Sequence, residues 1–345
     1  MVRGAWNLIL LLYPMIQHSK TLNRHLLDQL RLTPHMPGSL ATVFAQMTFA
    51  AKIVAREMRR AALVGELGLV GQQNSTGDDQ KKLDIFANEV FIDAITDSGL
   101  IAGLVSEEMA EMQIISDTPE ARYIVAVDPF DGSSNADVNG AVGSIIGIYH
   151  KPDGGSAHLE SDLTSGAAPM VAAIYVMYGP STVFVYTCGA GVYGFTLDHD
   201  LGEFLLSHNN IRIPPHGHYY SANMGYLQDW NPKVQYFFQK LTEPTEQRES
   251  RYSLRYSGAM VADVHRTLLE GGIYIYPPDK KHPKGKLRLL YECAPLSFIV
   301  EQAGGLATNG TTRISHLTYN SIHELTAIAL GSPAEVKLYE KCLAE

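Results

Sequence analysis

The stretch VAVDPFDGSSNADVNG, residues 125–140, joins a short apolar run to two acids and a Gly-Ser-Ser turn. The run YIVAV at 123–127 is apolar throughout, as are the strands of a sheet that is covered on both faces. Asp128 and Asp131 follow it at the carboxyl end of the predicted strand, where α/β sheets gather their ligands. Because acids repel anions, acids beside a turn that is suited to an anion predict a cation between the carboxylates and the anion.

The turn that follows the acids has the residues needed to hold an anion. Pro129 restricts the backbone between the two aspartates, and Gly132 allows the backbone to approach a ligand closely. Ser133 and Ser134 present backbone N–H groups and hydroxyls to an anion. This one turn therefore predicts both a metal site and a phosphate site.

A second strand candidate, IAGLV at 101–105, is followed by Glu107 and Glu108. If the two strands are neighbours, four carboxylates meet at one edge and repel each other in a partly desolvated site. Divalent cations resolve this repulsion, and all-oxygen ligands favour Mg²⁺ or Mn²⁺ over zinc. The alternative for Glu107 and Glu108 alone is a pair of surface acids on an unrelated turn.

The composition narrows the class of protein. A chain of 345 residues suffices for roughly two domains. Its 27 Lys and Arg against 36 Asp and Glu give a net charge of -9, which argues against nucleic-acid binding through phosphate neutralisation. The three cysteines form no CxxC pair, which favours a reducing compartment, and we predict a cytoplasmic protein.

The N-terminus carries the apolar segment AWNLILLLYPMI at 5–16, which Pro14 interrupts. It is shorter than the roughly 20 residues that span a bilayer, and no clear cleavage site follows it. We predict an extension at 1–20 that packs weakly or on a partner, with no membrane association. A signal peptide is the alternative.

Apolar periodicity outlines the rest of the chain. It predicts a helix between Leu40 and Val64, a mobile polar loop at 65–79 and a second helix over 83–94. Closely spaced apolar runs that follow residue 144 predict antiparallel strands, with a surface loop at 151–167. From about Ile211, helices alternate with strands, which indicates an α/β second half with a boundary near residue 210.

Motifs along the chain resemble one known family, in the order expected from about residue 40 to the C-terminus. They are TGDDQKKLD, VSEEM, DPFDGSSN, SANMGY, RYSGAMVADVHRTL, GKLRLLYECAP and EQAGGLATNG. The sequence resembles class I fructose-1,6-bisphosphatases, within the lithium-sensitive phosphatase superfamily that includes inositol monophosphatase. The resemblance implies an α/β (α+β layered) sugar phosphatase fold with alternating α-β-α-β-α layers. It implies a metal- and phosphate-binding α+β domain at 21–210 and a sugar-phosphate-binding α/β domain at 211–345.

The resemblance also implies a metal site for two or more ions per subunit, with Mg²⁺ as the metal and Mn²⁺ as the alternative. Its ligands would be the following residues, with the main-chain carbonyl of Phe130 helping: Glu107, Asp128, Asp131 and Glu292. Glu108 would position or deprotonate the attacking water, and Asp78 and Asp84 would complete the arrangement of metal and water. From the residues alone, Asp84 could equally be a first-turn acid favoured by the helix dipole.

The substrate's other phosphate needs donors and positive charge. Lys286 and Arg288 alternate in GKLRLLYE, so on a strand they would share one face. The resemblance implies that Lys286 reaches the sugar or distal phosphate and that Arg288 reaches the reacting end. It implies that Asp131, Gly132, Ser133 and Ser134 also contact the substrate. The remaining contacts would be Asn223, Tyr226, Tyr256 and Tyr276, with Arg255 from a neighbouring subunit.

The implied function is hydrolysis of the 1-phosphate of fructose 1,6-bisphosphate to fructose 6-phosphate, in gluconeogenesis or Calvin-type carbon metabolism, by a homotetramer. A sedoheptulose-1,7-bisphosphatase or dual-specificity enzyme is the nearest alternative. A non-catalytic sugar-phosphate-binding regulator is disfavoured because every catalytic acid is present. Arg122 and His150 replace the Lys and Arg of the family's AMP site, so we do not expect AMP inhibition.

Overall fold

A computed structural model describes residues 20–32, 38–64, 68–73, 79–152, 158–243 and 252–345 of the chain. The apolar segment at 5–16, predicted to be an extension, lies outside these residues, as does the predicted site residue Asp78. Among the described residues, no helix combines the length and apolarity that a membrane span requires.

The helices predicted over 40–64 and 83–94 are present, the first of them divided into two, and further helices occur along the chain. The described helices are α1 (Leu22–Leu32), α2 (Ser39–Met58), α3 (Ala61–Val64), α4 (Lys82–Thr96), α5 (Leu159–Thr164), α6 (Pro232–Thr242), α7 (Met260–Glu270), α8 (Ala294–Gln302) and α9 (Pro333–Ala344). Short 3₁₀ helices cover Ser133–Val138, Met224–Asp229 and Ile314–His316, and a π-helical turn covers Leu289–Cys293.

Most of the described strands form two larger sheets. The first half of the chain gives β1 (Leu69–Gln73), β2 (Asp79–Lys81), β3 (Ile101–Ser106), β4 (Gln113–Ile114), β5 (Tyr123–Asp131), β6 (Val142–His150), β7 (Met170–Tyr178), β8 (Thr182–Thr187), β9 (Val192–Asp198) and β10 (Glu203–His208). The second half gives β11 (Tyr219–Ser221), β12 (Ser253–Leu254), β13 (Ile273–Tyr276), β14 (Leu287–Arg288), β15 (Leu306–Thr308), β16 (Leu325–Thr326) and β17 (Ile328–Gly331).

The larger sheet has eight strands in the order β10-β9-β8-β7-β6-β5-β3-β4. Strands β5 to β10 pair antiparallel with their neighbours, which confirms the prediction from their close spacing. Strands β3 and β5 are parallel, so their carboxyl ends lie side by side. The smaller sheet has five strands in the order β12-β11-β13-β17-β15, and β1-β2 and β14-β16 form two-stranded sheets.

Buried side chains divide the molecule into layers, because each large strand alternates its side chains between two cores. On β6, Ile146 packs in the core that α2 and α4 share with the large sheet, while Ile145 packs with α7 and α8 on the opposite face. The second core continues to Leu330 of the smaller sheet, whose other face carries Ala329 against α6 and α9. The predicted α-β-α-β-α layering is confirmed.

Several local predictions were wrong. The stretch at 65–79, predicted as a polar loop, contains β1 and the first residue of β2, and these two strands pair antiparallel. The predicted surface loop at 151–167 contains α5, whose Leu159 and Leu163 are buried against the sheet. Strand β5 does not end at Val127 but continues through the acidic motif, with an irregular register between Asp128 and Asp131.

Candidate active site

The ends of two parallel strands place the first acids. Ser106 of β3 lies opposite Val127 of β5, and the N–H of Glu107 donates to the Val127 carbonyl at 3.1 Å. Asp128 and Glu107 therefore lie at the same edge, as the sequence predicted. Asp128 is 2% exposed, and its Oδ1 accepts a hydrogen bond from the Phe130 N–H at 3.0 Å.

A third carboxylate reaches this edge from the second half of the chain. Glu292 lies in the π-helical turn before α8, where Oε2 accepts from the Arg288 N–H at 2.5 Å. Ligand oxygens of Asp128, Asp131 and Glu292 lie within 4.8 Å of one another. Three convergent carboxylates with hard oxygen ligands fit a divalent cation.

The electrostatics of this acidic cluster, defined as Asp128, Asp131 and Glu292, explain why it needs a cation. Burial is the main cause that raises the pKa of each carboxyl, because desolvation disfavours the charged form. Glu107 adds repulsion that raises the pKa of Asp128 and Glu292 well above the ordinary values. The pKa of Asp131 is raised to about 6. The fully ionised cluster is stable only with positive charge in its midst.

Asp131 also joins the two halves of the molecule. Its Oδ1 accepts from the Met260 N–H at 3.1 Å and its Oδ2 from the Val261 N–H at 2.7 Å, at the start of α7. Gly132, next in the chain, has φ 75°, and a Cβ there would lie 2.4 Å from the Cβ of Ala259. Glycine is therefore required for close packing against α7, a reason that differs from the predicted approach to a ligand.

Two further acids, Asp84 and Glu108, interact with each other. Asp84 lies in the first turn of α4, where Oδ2 accepts from the Lys81 N–H at 2.8 Å. Burial, with repulsion from Glu108, raises the pKa of Asp84 to about 7. Its Oδ1 is buried and has no hydrogen-bond partner among the described residues. Asp84 and Glu108 are thus close enough to interact, and a carboxyl with this pKa can accept a proton near neutral pH.

Arg288 of β14 places a positive charge beside Glu107. Arg288 is 6% exposed, and its Nη2 lies 4.0 Å from Oε1 of Glu107. Its Nη1 donates to the Lys286 carbonyl at 2.6 Å. Lys286 is half-buried and lies just before β14. Arg288 therefore lies at the acidic edge, while the described contacts do not place the Lys286 side chain in the site.

The predicted distal residues lie in two groups. Burial raises the pKa of Tyr256 to about 12. Asn223 forms a side-chain hydrogen bond with Tyr256, and Tyr276 lies close enough to influence its pKa. The described residues also place Tyr226 on the surface, 44% exposed. Arg255 is exposed, and it donates from Nη1 to the Leu254 carbonyl at 2.8 Å and lies over the Tyr219 ring. Within this single chain, Asn223, Tyr256 and Tyr276 come together, whereas Tyr226 and Arg255 face outward.

Two polar residues that the sequence analysis missed support the site. Asp263 of α7 is 3% exposed and accepts from the Ser257 N–H with both oxygens, at 3.0 and 3.1 Å. Asn135 donates to the Ser257 carbonyl at 3.0 Å, which ties the acidic turn to the same segment. An acid next to a buried apolar helix face was the available signal for Asp263. Nδ1 of His265, also on α7, lies within hydrogen-bond distance of the Tyr175 hydroxyl, at 2.8 Å.

Comparisons with known proteins give one consistent result. The family described as "Fructose-1-6-bisphosphatase, N-terminal domain" matches residues 20–209, and the corresponding C-terminal domain family matches residues 213–344. A protein of Acaryochloris marina named fructose-1,6-bisphosphatase class 1 2 is 51% identical over 330 residues, covering 96% of this chain and 99% of the relative. The fructose-1,6-bisphosphatase of Kluyveromyces lactis is 45% identical over 332 residues, covering 93% of each.

A solved structure shares the fold over nearly the whole chain. The fructose-1,6-bisphosphatase of Leishmania major in holo form superposes with a TM-score of 0.88 at 37% identity. The match covers 95% of this chain and 100% of that one.

Proposed function

The chain belongs to the class 1 fructose-1,6-bisphosphatase family and acts on fructose 1,6-bisphosphate, and we propose that it removes the 1-phosphate at the acidic cluster with the help of Mg²⁺. The observation that carries this proposal is the convergence of the cluster oxygens within 4.8 Å in a buried position. Burial raises the pKa values of all three carboxyls, and repulsion from neighbouring acids adds to it, so the arrangement suits cations. We propose two or more ions per subunit, with Mn²⁺ as a possible substitute.

The metal ligands in this proposal come from both halves of the chain. Asp128, Asp131 and Glu292 form the cluster, Glu107 stands beside it, and the Phe130 carbonyl is a further oxygen at the same turn. When bound, divalent ions supply Lewis acidity, which lowers the pKa of a water and neutralises charge on the transferring phosphoryl group.

The chain's own residues supply proton transfer and orientation. Asp84, whose pKa burial raises to about 7, accepts the proton of the attacking water, which Glu108 positions. Asp78, outside the described residues, is proposed to assist them. Gly132, Ser133 and Ser134 hold the oxygens of the 1-phosphate with main-chain N–H groups and hydroxyls. Arg288, at the acidic edge, neutralises the reacting end of the substrate.

The 6-phosphate is assigned to the second half of the chain. Asn223, Tyr256 and Tyr276 lie together and offer polar groups that can donate to phosphate. Tyr226 and Lys286 complete this group, and Arg255 of a neighbouring subunit adds a charge. The outward position of Arg255 supports a role across an interface. We therefore propose a homotetramer built from dimers, acting in the cytoplasm.

A single assay tests this function. The purified protein is given fructose 1,6-bisphosphate or sedoheptulose 1,7-bisphosphate, with Mg²⁺ or with EDTA, and phosphate release is measured. We expect release from fructose 1,6-bisphosphate that requires Mg²⁺. Equal release from both sugars would establish a dual-specificity enzyme, and release only from sedoheptulose 1,7-bisphosphate would replace the proposed substrate. No release from either sugar would refute the proposal.

A further inference from the structure

Asp137 is the one acid of the 125–140 motif that the proposed function leaves without a role. It lies on the 3₁₀ helix Ser133–Val138, directly after the turn that carries Asp131 and Gly132. Its Oδ1 accepts from the Gly68 N–H at 3.1 Å, and its Oδ2 lies 2.5 Å from Nζ of Lys81. Its two oxygens therefore contact two residues, Gly68 and Lys81, that are both far from Asp137 in the sequence.

Those two residues meet at one end of the β1-β2 hairpin. Leu69 lies opposite Lys81 in the pairing of β1 with β2, so Gly68 and Lys81 are neighbours there. The Lys82 N–H also donates to the Gly68 carbonyl at 3.3 Å. Asp137 thus contacts Gly68, directly before β1, and Lys81, the last residue of β2, at the point where β2 passes into α4.

Lys81 connects this contact to the site. It is the residue that precedes α4, and its N–H donates to Oδ2 of Asp84 at 2.8 Å. The Lys81 side chain is only 11% exposed, although its partner Asp137 is 37% exposed. A largely buried side chain whose ammonium is paired with the Asp137 carboxylate restrains the backbone that holds Asp84.

We propose that Asp137 is a positioning residue, which holds Lys81 and the start of α4 so that Asp84 keeps its place beside Glu108. The inference rests on the proposed function, because it concerns the placement of a proposed proton acceptor. Asp137 touches neither substrate nor metal ligands in this role. The alternative is an ordinary surface ion pair, which contributes little to stability and nothing to turnover.

The test combines two single variants with their double variant. Asp137→Asn keeps an oxygen for Gly68 but removes the charge, and Lys81→Met removes the ammonium but keeps the backbone N–H. We expect each to lower kcat about tenfold, and the double variant to lower it by no more than either alone, since the two act through one contact. Lys81→Arg should restore most of kcat, while KM and the melting temperature stay near those of the wild type.

The matched control is Glu203→Gln, which breaks a comparable ion pair with Lys52 at 3.4 Å, outside the site. We expect it to leave kcat unchanged. An Asp137→Asn variant with wild-type kcat, or single effects that multiply in the double variant, would overturn the proposal.

A second measurement keeps the inference separate from the proposed function. Amide hydrogen exchange over residues 82–86 should be faster in Asp137→Asn by about threefold or more, because the start of α4 opens more readily. Unchanged exchange would refute the positioning role even if kcat fell. If the wild type releases no phosphate, the proposed function fails, and the exchange measurement still decides whether Asp137 holds α4.

Discussion

At the scale of single residues, the site depends on carboxyls that cannot all be ionised at once unless a cation lies among them. Asp128 and Glu292 have pKa values well above the ordinary range, because both are buried and both face Glu107. The acids of this site fall into two groups. Those of the acidic cluster suit cations, whereas Asp84, with a pKa raised to about 7, suits proton transfer.

The role of Asp131 is tested by Asp131→Asn. The amide keeps one acceptor for the two α7 N–H groups, but its NH2 group faces the other N–H and the charge that a cation requires is lost. Stability should therefore fall while the protein still folds, and turnover should be lost. We expect kcat to fall at least a hundredfold, the order found when a stabilising group of a reaction centre is removed. Phosphate release at saturating Mg²⁺ measures this, with Glu203→Gln as the control. A near-normal kcat would remove Asp131 from the metal ligands.

At the scale of elements, three elements of secondary structure position the turn that carries Asp128, Asp131 and Gly132. Strand β5 contains both aspartates, and the Met260 N–H at the start of α7 donates to Asp131. The 3₁₀ helix at 133–138 follows and contacts the β1-β2 pair through Asp137. Gly132 lies at this junction with a left-handed backbone and with Ala259 in contact. The turn therefore tolerates no side chain at that position without displacing the start of α7.

Gly132→Ala tests this junction against a control with similar backbone conformation. Gly99 has φ 68°, close to the 75° of Gly132, but no atom lies within 4 Å of a Cβ built there. Gly99→Ala should cost about 1–2 kcal/mol of unfolding free energy from the left-handed backbone alone. Gly132→Ala should cost about 1–3 kcal/mol more from overpacking. Urea denaturation measures both, and equal losses would contradict the steric explanation.

At the scale of the whole molecule, the site lies where the two halves of the chain meet. The first half supplies Asp128 and Asp131, and the second supplies Glu292 and the N–H groups of Met260 and Val261. Folding brings these acids together at a free-energy cost that grows as they ionise. The stability of the whole protein should therefore depend on pH and on cations.

The metal-free protein should lose stability as the pH rises. The carboxyls of Asp131 and Asp84 have folded pKa values of about 6 and about 7, against about 4 in an unfolded chain. Their protonated forms are fully stabilising below pH about 4, and this stability is lost as the pH rises through the folded pKa values. In EDTA we expect the melting temperature to fall between about pH 4 and pH 7 from these groups.

The same experiment contains its own controls. Mg²⁺ should raise the melting temperature more at pH 8 than at pH 5, since it binds the ionised cluster and so stabilises the folded state. The Asp131→Asn variant in EDTA should show a shallower dependence on pH. An identical slope in both proteins would show that other groups control the pH dependence.

The sequence by itself indicated the antiparallel strand series and the two apolar strands that carry Glu107 and Asp128 to one edge, whereas the layered fold class came from the family resemblance. The strand predictions follow from apolar periodicity and from residues adjacent in the chain, which are local properties. Asp131 and Gly132 were also recognised from the sequence. The sequence did not reveal that Gly132 is needed for close packing against Ala259. Family resemblance, rather than spacing, supplied Glu292.

Only the tertiary structure decided how distant segments complete the site. The hydrogen bonds from α7 to Asp131, the buried Asp263 beneath the 255–259 segment and the contact of Asp137 with Gly68 and Lys81 have no period in the sequence. They depend on how the two sheets pack on the helices between them, and therefore on long-range geometry. The strands β1 and β2 were missed for a related reason, because polar, glycine-rich residues carry no apolar alternation to reveal a hairpin.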